Sequence, residues 1–167
     1  MSARVFVTVG SQKFQFNRLL AAVDGCVASG VIDVPVFAQT GCSDYSPKNF
    51  EWRPFLDRDE FSSLVEGCDT VVTHGGTGAI VGALKKGKRV VAMPRLAKYG
   101  EHVDDHQVQL LEQFSEAGLI LVCEDEESLA EAYRASLSRE FAIYEPNNER
   151  FIGDLDRYLS KEMLSSC

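Results

Sequence analysis

The sequence predicts an α/β fold, with a Rossmann-like, mainly parallel sheet flanked by helices. Short β-branched runs recur along the 167-residue chain, segments with helical spacing separate them, and glycines stand at many of the junctions. Strands that alternate with helices form right-handed βαβ units, which place the strands parallel in one sheet. The length fits one domain, which we assign to residues 1–167.

The first three elements are a strand, a helix and a second strand. ARVFVTV (3–9) is β-branched and ends at a glycine, as expected of a buried parallel strand. Residues 16–30 have helical spacing, which Gly25 and Gly30 are predicted to break. VPVFAQTG (34–41) predicts the second strand.

The middle of the chain continues the alternation. FEWRPFL (50–56) predicts a short strand, and DRDEFSSLVEGC (57–68) a helix with an Asp-rich start. TVVTH (70–74) predicts a strand, TGAIVGALKKG (77–87) a helix, and KRVVAMP (88–94) another strand.

The last third begins with an amphipathic helix over 104–118, followed by a strand over 119–124 and a helix over 127–138. Residues 147–163 predict a final helix with one apolar face, which packs either on this domain or on another chain. Its apolar residues are Phe151, Ile152, Leu155, Tyr158 and Leu159.

Composition excludes several classes of protein. A net charge of −8 argues against a nucleic-acid binder. No apolar stretch reaches the ~18–20 residues that span a bilayer, and the N-terminus is too short for a signal peptide, so we expect a cytosolic protein. The five cysteines are scattered without a C-x-x-C pair, which argues against disulfides or a zinc site. We expect Cys68 and Cys123 to be core residues.

Two glycine-containing turns are candidate phosphate sites. VGSQKF follows the first predicted strand, and THGGTG (73–78) follows the fourth; both open a helix. The start of a helix offers unpaired N–H groups and a partial positive charge. Together the two turns suggest a diphosphate ligand, although glycines at such turns also occur for packing reasons. On the diphosphate interpretation, Gly76→Val weakens nucleotide binding far more than folding.

A nicotinamide dinucleotide is an alternative ligand. The pattern Gly76-x-Gly78-x-x-x-Gly82 is one residue longer than G-x-G-x-x-G, and no acidic residue ends the next strand to bind a ribose. Arg95 is then the candidate for a ribose 2′-phosphate.

A third loop, in PRLAKYGEHVDDHQVQL, mixes charges and amides in a way that suits recognition of sugar hydroxyls. The plainer interpretation is a solvated loop in which Asp104 or Asp105 caps the next helix. His102 and His106 are four residues apart, but without H-E-x-x-H we expect no metal site. The polar residues of the loop are Arg95, Lys98, Glu101, His102, Asp104, Asp105, His106 and Gln107.

Three stretches, in colinear order over about residues 4–123, resemble the donor-binding half of glycosyltransferase family 28. They are VFVTVGSQKFQFNRLL, CDTVVTHGGTGAIVGALKKGKRVVAMPRL and YGEHVDDHQVQLLEQFSEAG. The likeness is strongest to split members of the family, namely the small subunit of the eukaryotic dolichol-linked N-acetylglucosamine transferase and PssE-type bacterial polysaccharide subunits.

The resemblance implies the C-terminal, donor-binding half of a GT-B glycosyltransferase that takes a hexosyl group from a UDP-sugar. A separate membrane-associated chain would bind a lipid-linked saccharide, as in exopolysaccharide or glycan biosynthesis, and hold this chain at the cytoplasmic membrane face. The resemblance implies no metal or other cofactor and no catalytic residue in this chain, which we expect to be inactive alone.

The resemblance also assigns roles by position. The nucleotide and diphosphate would contact Gly10, Ser11, Gln12, Phe55, His74, Gly75, Gly76, Thr77 and Gly78. The donor sugar would contact Asp105, His106 and Gln107, and from the mixed charges of the same loop we expect Arg95, Lys98 and Glu101 to contact it as well. Many relatives bind the ribose through a glutamate, and Gly82 stands at that position here. A non-catalytic sugar-nucleotide-binding adaptor and, third, an NADP-binding enzyme are the competing functions.

Overall fold

The computed structural model describes residues 4–145, which form six strands, five α-helices and one 3₁₀ helix. The strands are β1 Val5–Thr8, β2 Val36–Gln39, β3 Glu51–Arg53, β4 Thr70–His74, β5 Arg89–Met93 and β6 Leu121–Val122. The helices are α1 Asn17–Ala28, α2 Arg58–Gly67, α3 Thr77–Lys85, α4 His106–Glu116 and α5 Glu126–Ser138, with the 3₁₀ helix at Ala97–Tyr99.

All six strands are parallel and lie in the order β3-β2-β1-β4-β5-β6. β1 is central: Val5 pairs with Val36 of β2 on one side and with Thr70 of β4 on the other. The predicted parallel α/β fold is therefore confirmed. This strand order is that of dinucleotide-binding Rossmann sheets.

The helices cover both faces of the sheet, so the core has two layers. Residues of α1 and α5, such as Leu20 and Leu129, pack on one face. Residues of α2, α3 and α4, such as Ile80 and Phe114, pack on the other. The central strands are buried on both sides, which explains their nearly continuous β-branched sequences. Cys68 and Cys123 lie in this core, as predicted.

The α-helices differ in whether a side chain caps the N–H groups of the first turn. Asp57 caps α2 by accepting from the backbone of Asp59 and Glu60, and Asp125 caps α5 through Ser128. α3 begins after Gly76, which has no side chain to cap it. The exposed N–H groups at the start of α3 therefore lack a side-chain partner.

One predicted break is wrong. α1 runs through Gly25 to Ala28 without interruption. A Cβ at Gly25 would lie 2.3 Å from the Glu126 carboxylate, so this glycine lets α1 approach the start of α5 closely. Gly30, in contrast, lies just past the end of α1 with φ +74°, where the chain turns.

Two further predictions concern membrane-spanning segments and the C-terminal helix. None of the helices in the described part of the chain has the length and apolar character that crossing a bilayer requires. The predicted C-terminal helix over 147–163 lies outside the described residues.

Candidate functional site

The candidate site lies at the carboxyl ends of β1, β4 and β5, in the middle of the sheet. Chain connections leave β1 and β4 in opposite directions, so a crevice opens between their ends, where α/β sheets bind ligands. The turns after β1 and β4 and the loop after β5 (94–105) border it. The three loops of interest in the sequence therefore meet at one sheet edge, as expected.

Gly10 and His74 are in direct contact across the crevice. Gly10 lies two residues after the end of β1 with φ +77°, and a Cβ there would lie 2.8 Å from His74 Nε2. Any other residue at this position would be strained and would also meet the imidazole. Glycine is thus required at position 10 for two reasons: its positive φ and the close approach of His74.

The glycines after β4 make room for protein side chains. A Cβ at Gly75 would lie 2.7 Å from the Cβ of Gln107, and one at Gly76 would lie 2.2 Å from His74 Cε1. We therefore correct the expectation that Gly76→Val separates nucleotide binding from folding, because the added side chain would collide with His74. Gly78 differs, since a Cβ added there would meet no other part of the described chain within 4 Å.

His74 is held in one neutral form. Its Nδ1 accepts a 3.0 Å hydrogen bond from the Gly76 N–H, so the proton of the neutral ring is on Nε2, facing Gly10. Burial, with smaller contributions from Arg95 and His102, lowers the pKa of His74 from 6.5 to about 4. At neutral pH, Nε2–H is therefore a hydrogen-bond donor on an uncharged ring.

The start of α3 supplies further donors. The N–H groups of Thr77, Gly78 and Ala79 precede the first intrahelical bond, which Ile80 makes to the Gly76 carbonyl. Thr77 and Gly78 are exposed. Together with the helix dipole, these groups form a surface that favours an anion.

Arg95 does not face the crevice. It is 1% exposed, and its guanidinium donates to the carbonyls of Val9, Phe14, Gln15 and Glu101. Burial lowers its pKa to about 10, so it stays charged at neutral pH. We correct the expectation that Arg95 contacts donor sugar or a 2′-phosphate: it joins the β1 loop to the β5 loop instead.

Glu101 is also structural. It is fully buried and forms a two-pronged ion pair with Arg18, at 2.8 and 3.1 Å. It accepts a further bond from the Leu96 N–H. The prediction that Glu101 contacts the donor sugar is therefore wrong. This carboxylate instead holds the loop after β5 in its conformation. Arg18 lies on α1, within the first stretch that resembles the family, but the sequence analysis assigned it no role.

Gln107 links the second and third loops. Its amide oxygen accepts from the N–H groups of Gly75 (2.9 Å) and Arg95 (3.1 Å). Its amide nitrogen donates to no acceptor within residues 4–145, and the residue is buried. Gln107 thus orients the glycine turn while keeping one donor for a ligand.

The sequence matches the glycosyltransferase family 28 C-terminal domain over residues 4–156. The chain belongs to this family. The mouse UDP-N-acetylglucosamine transferase subunit ALG13 is 28% identical over 132 residues, a stretch that covers 72% of this chain. This chain spans only about a tenth of the length of that curated relative (10%).

Solved structures share the fold. An ALG13 structure determined by NMR has 19% identity and a TM-score of 0.63, and covers 90% of this chain and 93% of its own. The glycosyltransferase VinC in complex with DTDP has 22% identity and a TM-score of 0.55, over 82% of this chain and 35% of its own. The family 28 domain is thus the C-terminal half of a GT-B architecture, as the sequence predicts.

The other residues predicted to bind the nucleotide or the donor sugar differ in position and exposure. Ser11, Gln12 and Lys98 are exposed beside the crevice. Asp105 is exposed too, with one carboxylate oxygen accepting from the Ala97 N–H at 2.7 Å. Phe55 lies apart from them, after β3 at the far side of the same sheet edge, and is 52% exposed.

Capping of α4 comes from one of the two predicted aspartates. Asp104 Oδ1 accepts from the His106 N–H at 3.2 Å, whereas Asp105 makes no side-chain cap. Asp104 also lies between His102 and His106, with both imidazoles in contact with its carboxylate. Sequence reasoning noted the two histidines but not the aspartate that joins them.

Proposed function

We propose that this chain is the donor-binding subunit of a two-component glycosyltransferase that transfers a hexosyl group from a UDP-sugar. The observation that carries the proposal is the pairing of two donor surfaces at the β1–β4 crevice: the uncharged His74 Nε2–H and the uncapped start of α3. Membership of family 28 supports a glycosyl transfer reaction.

The diphosphate would lie over Gly10 and the first turn of α3. Backbone N–H groups of Thr77 and Gly78, with the helix dipole, stabilise the negative charge that develops on the departing nucleotide. His74 donates one more hydrogen bond without a charge of its own. These residues supply the electrostatic stabilisation from the protein itself, and the proposal assigns no role to a metal in transfer.

The sugar and base would lie on opposite sides of the diphosphate. The free amide nitrogen of Gln107, together with Lys98, Asp105 and His106, borders the side toward β5 and suits sugar hydroxyls. Phe55 is two strand spacings from β1, roughly 10 Å, toward the other side. The exposure of Phe55 at that distance supports a contact with the base, which the resemblance assigns to the backbone of this residue.

The ribose has no carboxylate partner at the position where many relatives have one. Gly82 is exposed on α3, and a Cβ added there would meet no other part of the described chain within 4 Å. We propose that backbone groups or another side chain hold the ribose.

The acceptor half would be a second, membrane-associated chain that binds a lipid-linked saccharide for exopolysaccharide or glycan synthesis and keeps this chain at the cytoplasmic membrane face. The mouse relative is named as a subunit of a transferase, which supports such a division. The competing NADP enzyme loses support because Arg95, its candidate for the 2′-phosphate, is buried with its terminal nitrogens bound to backbone carbonyls.

The test uses a charge placed at the start of α3. Gly78 is exposed with open space where a Cβ would stand, and an aspartate in the first turn suits a helix. We expect Gly78→Asp to keep the thermal unfolding midpoint while weakening UDP binding at least about tenfold, since like charges a few ångströms apart cost several kcal/mol. Isothermal titration with UDP, several UDP-sugars and NADP measures this.

The matched control is Gly78→Asn, which adds the same volume without a charge. Its affinity for UDP should stay within about threefold of the wild type, a change below ~1 kcal/mol. Equal UDP affinity in the Asp and Asn variants would contradict the diphosphate position. Wild-type protein that binds NADP but not UDP would reject the donor assignment.

A further inference from the structure

We propose that His102, Asp104 and His106 form a binding site for a transition-metal dication such as Zn²⁺, at the rim of the β5–α4 loop. The site uses side chains that the transfer mechanism does not require, apart from His106. Metal binding by these three side chains can therefore be tested without a UDP-sugar.

The three side chains lie close together, with the Asp104 carboxylate between the two imidazoles. His102 Nδ1 lies 3.2 Å from Asp104 Oδ1, and His106 Nδ1 contacts the same oxygen. One ligand atom from each residue can be chosen so that all lie within 4.8 Å of one another. The two imidazole rings meet edge to face, with centroids 4.8 Å apart.

This spacing fits coordination to one ion. Ligand atoms about 2.0–2.2 Å from a metal, at right or tetrahedral angles, lie roughly 3–3.4 Å apart. The His102–Asp104 distance already has this value. The His106 and Asp104 side chains are 39% and 57% exposed, so a small rotation can open their contact to admit an ion.

The chemistry of the ligands selects the class of ion. Two imidazole nitrogens and one carboxylate oxygen suit zinc, cobalt, nickel or iron rather than calcium or magnesium. Three protein ligands leave at least one position for water or a sugar hydroxyl, as in open metal sites.

The surroundings favour binding. The Phe14 ring packs against the His102 ring at 5.4 Å, and the His102 side chain is only 12% exposed, so one ligand is held in place. The Asp104 carboxylate contacts both imidazoles. Within residues 4–145, no lysine or arginine forms an ion pair with this carboxylate.

The test is a titration of the full, tag-free chain with Zn²⁺ by calorimetry and with Co²⁺ by visible absorption. We expect one ion per chain, bound by nitrogen and oxygen. His102→Ala and Asp104→Asn should each weaken affinity at least about tenfold, because each removes a ligand. Asp104 is exposed, so Asp104→Asn tests the site even if His102→Ala folds poorly.

Asp105→Asn is the matched control. It removes the same charge one residue further along, and its amide oxygen can still accept from the Ala97 N–H. Its metal affinity should equal that of the wild type. Wild-type protein that binds neither ion at millimolar concentration would overturn the proposal. So would unchanged affinity in both ligand variants, or a thiolate spectrum with Co²⁺, which would place the ion at a cysteine such as the exposed Cys42.

Discussion

The β5–α4 segment contains two groups of polar residues that face in opposite directions. Arg95, Glu101 and Gln107 are at least 97% buried, and most of their hydrogen bonds go to backbone groups or to Arg18. Lys98 and Asp104, from the same short stretch, are exposed. The inner group fixes the relative positions of three loops, while the outer group is free to meet ligands.

The difference shows why charge in a strand-end loop is an unreliable sign of ligand contact. A buried guanidinium is tolerated here because four backbone carbonyls accept from it and the Phe16 ring packs against it at 4.8 Å. Such a residue affects a ligand only through the loops that it holds. Three predictions sharpen the contrast between the two groups.

The largest loss of stability is expected when the charge of Arg95, in the inner group, is removed. Arg95→Met keeps most of the volume but leaves carbonyls in three parts of the chain without a donor, so the free energy of unfolding should fall by about 3–5 kcal/mol. Lys98→Met, the matched change in the outer group, should alter it by less than ~0.5 kcal/mol. Denaturant unfolding measures both. Similar losses in the two variants would remove the distinction between the groups.

The second largest effect on stability is expected from acid, through the largely buried ring of His74, whose pKa is lowered by burial and by the nearby charge of Arg95. Because the pKa of His74 is lowered from 6.5 to about 4, the unfolded chain takes up this proton first as the pH falls. The stabilisation is present above pH 6.5 and is lost between 6.5 and 4, by on the order of 3 kcal/mol.

Comparing unfolding free energies of the wild type and His74→Gln from pH 7 to pH 4 isolates this contribution. The wild type should lose stability more steeply than the variant, whose amide does not titrate. Parallel pH curves would show that His74 is not buried in its neutral form.

The smallest changes in stability are expected at two glycines, one where an added Cβ would meet a neighbouring side chain and one where it would meet nothing. Gly75→Ala pushes against the Cβ of Gln107, from the inner group, and should destabilise by about 1–3 kcal/mol. Gly82→Ala adds a methyl group to open space at an exposed position of α3 and should stabilise by about 0.5–1 kcal/mol. Thermal unfolding distinguishes them by sign. A Gly75→Ala variant as stable as the wild type would mean that the Gln107 side chain moves aside at little cost.

Local sequence determined most of the fold. Hydrophobic periodicity and turn residues located every strand and α-helix within residues 4–145. Most of these elements, although not the exposed strand β3, bury a face that requires apolar side chains. The break predicted at Gly25 was wrong, since a glycine needed for helix contact looks the same in sequence as one that ends a helix. Strand ends followed by glycine turns or by clustered polar residues also located the three loops that meet at the crevice.

By itself, the sequence determined which segments form strands and helices and which loops end at the ligand-binding edge, because periodicity and turn chemistry are local. Tertiary structure alone decided that Arg95 and Glu101 are interior supports, that Gly75 and Gly76 accommodate Gln107 and His74, and that Asp104 joins two histidines. The physical reason is that burial and hydrogen-bond partners depend on residues distant in the chain, such as Val9 and Arg18, whose approach no local pattern records.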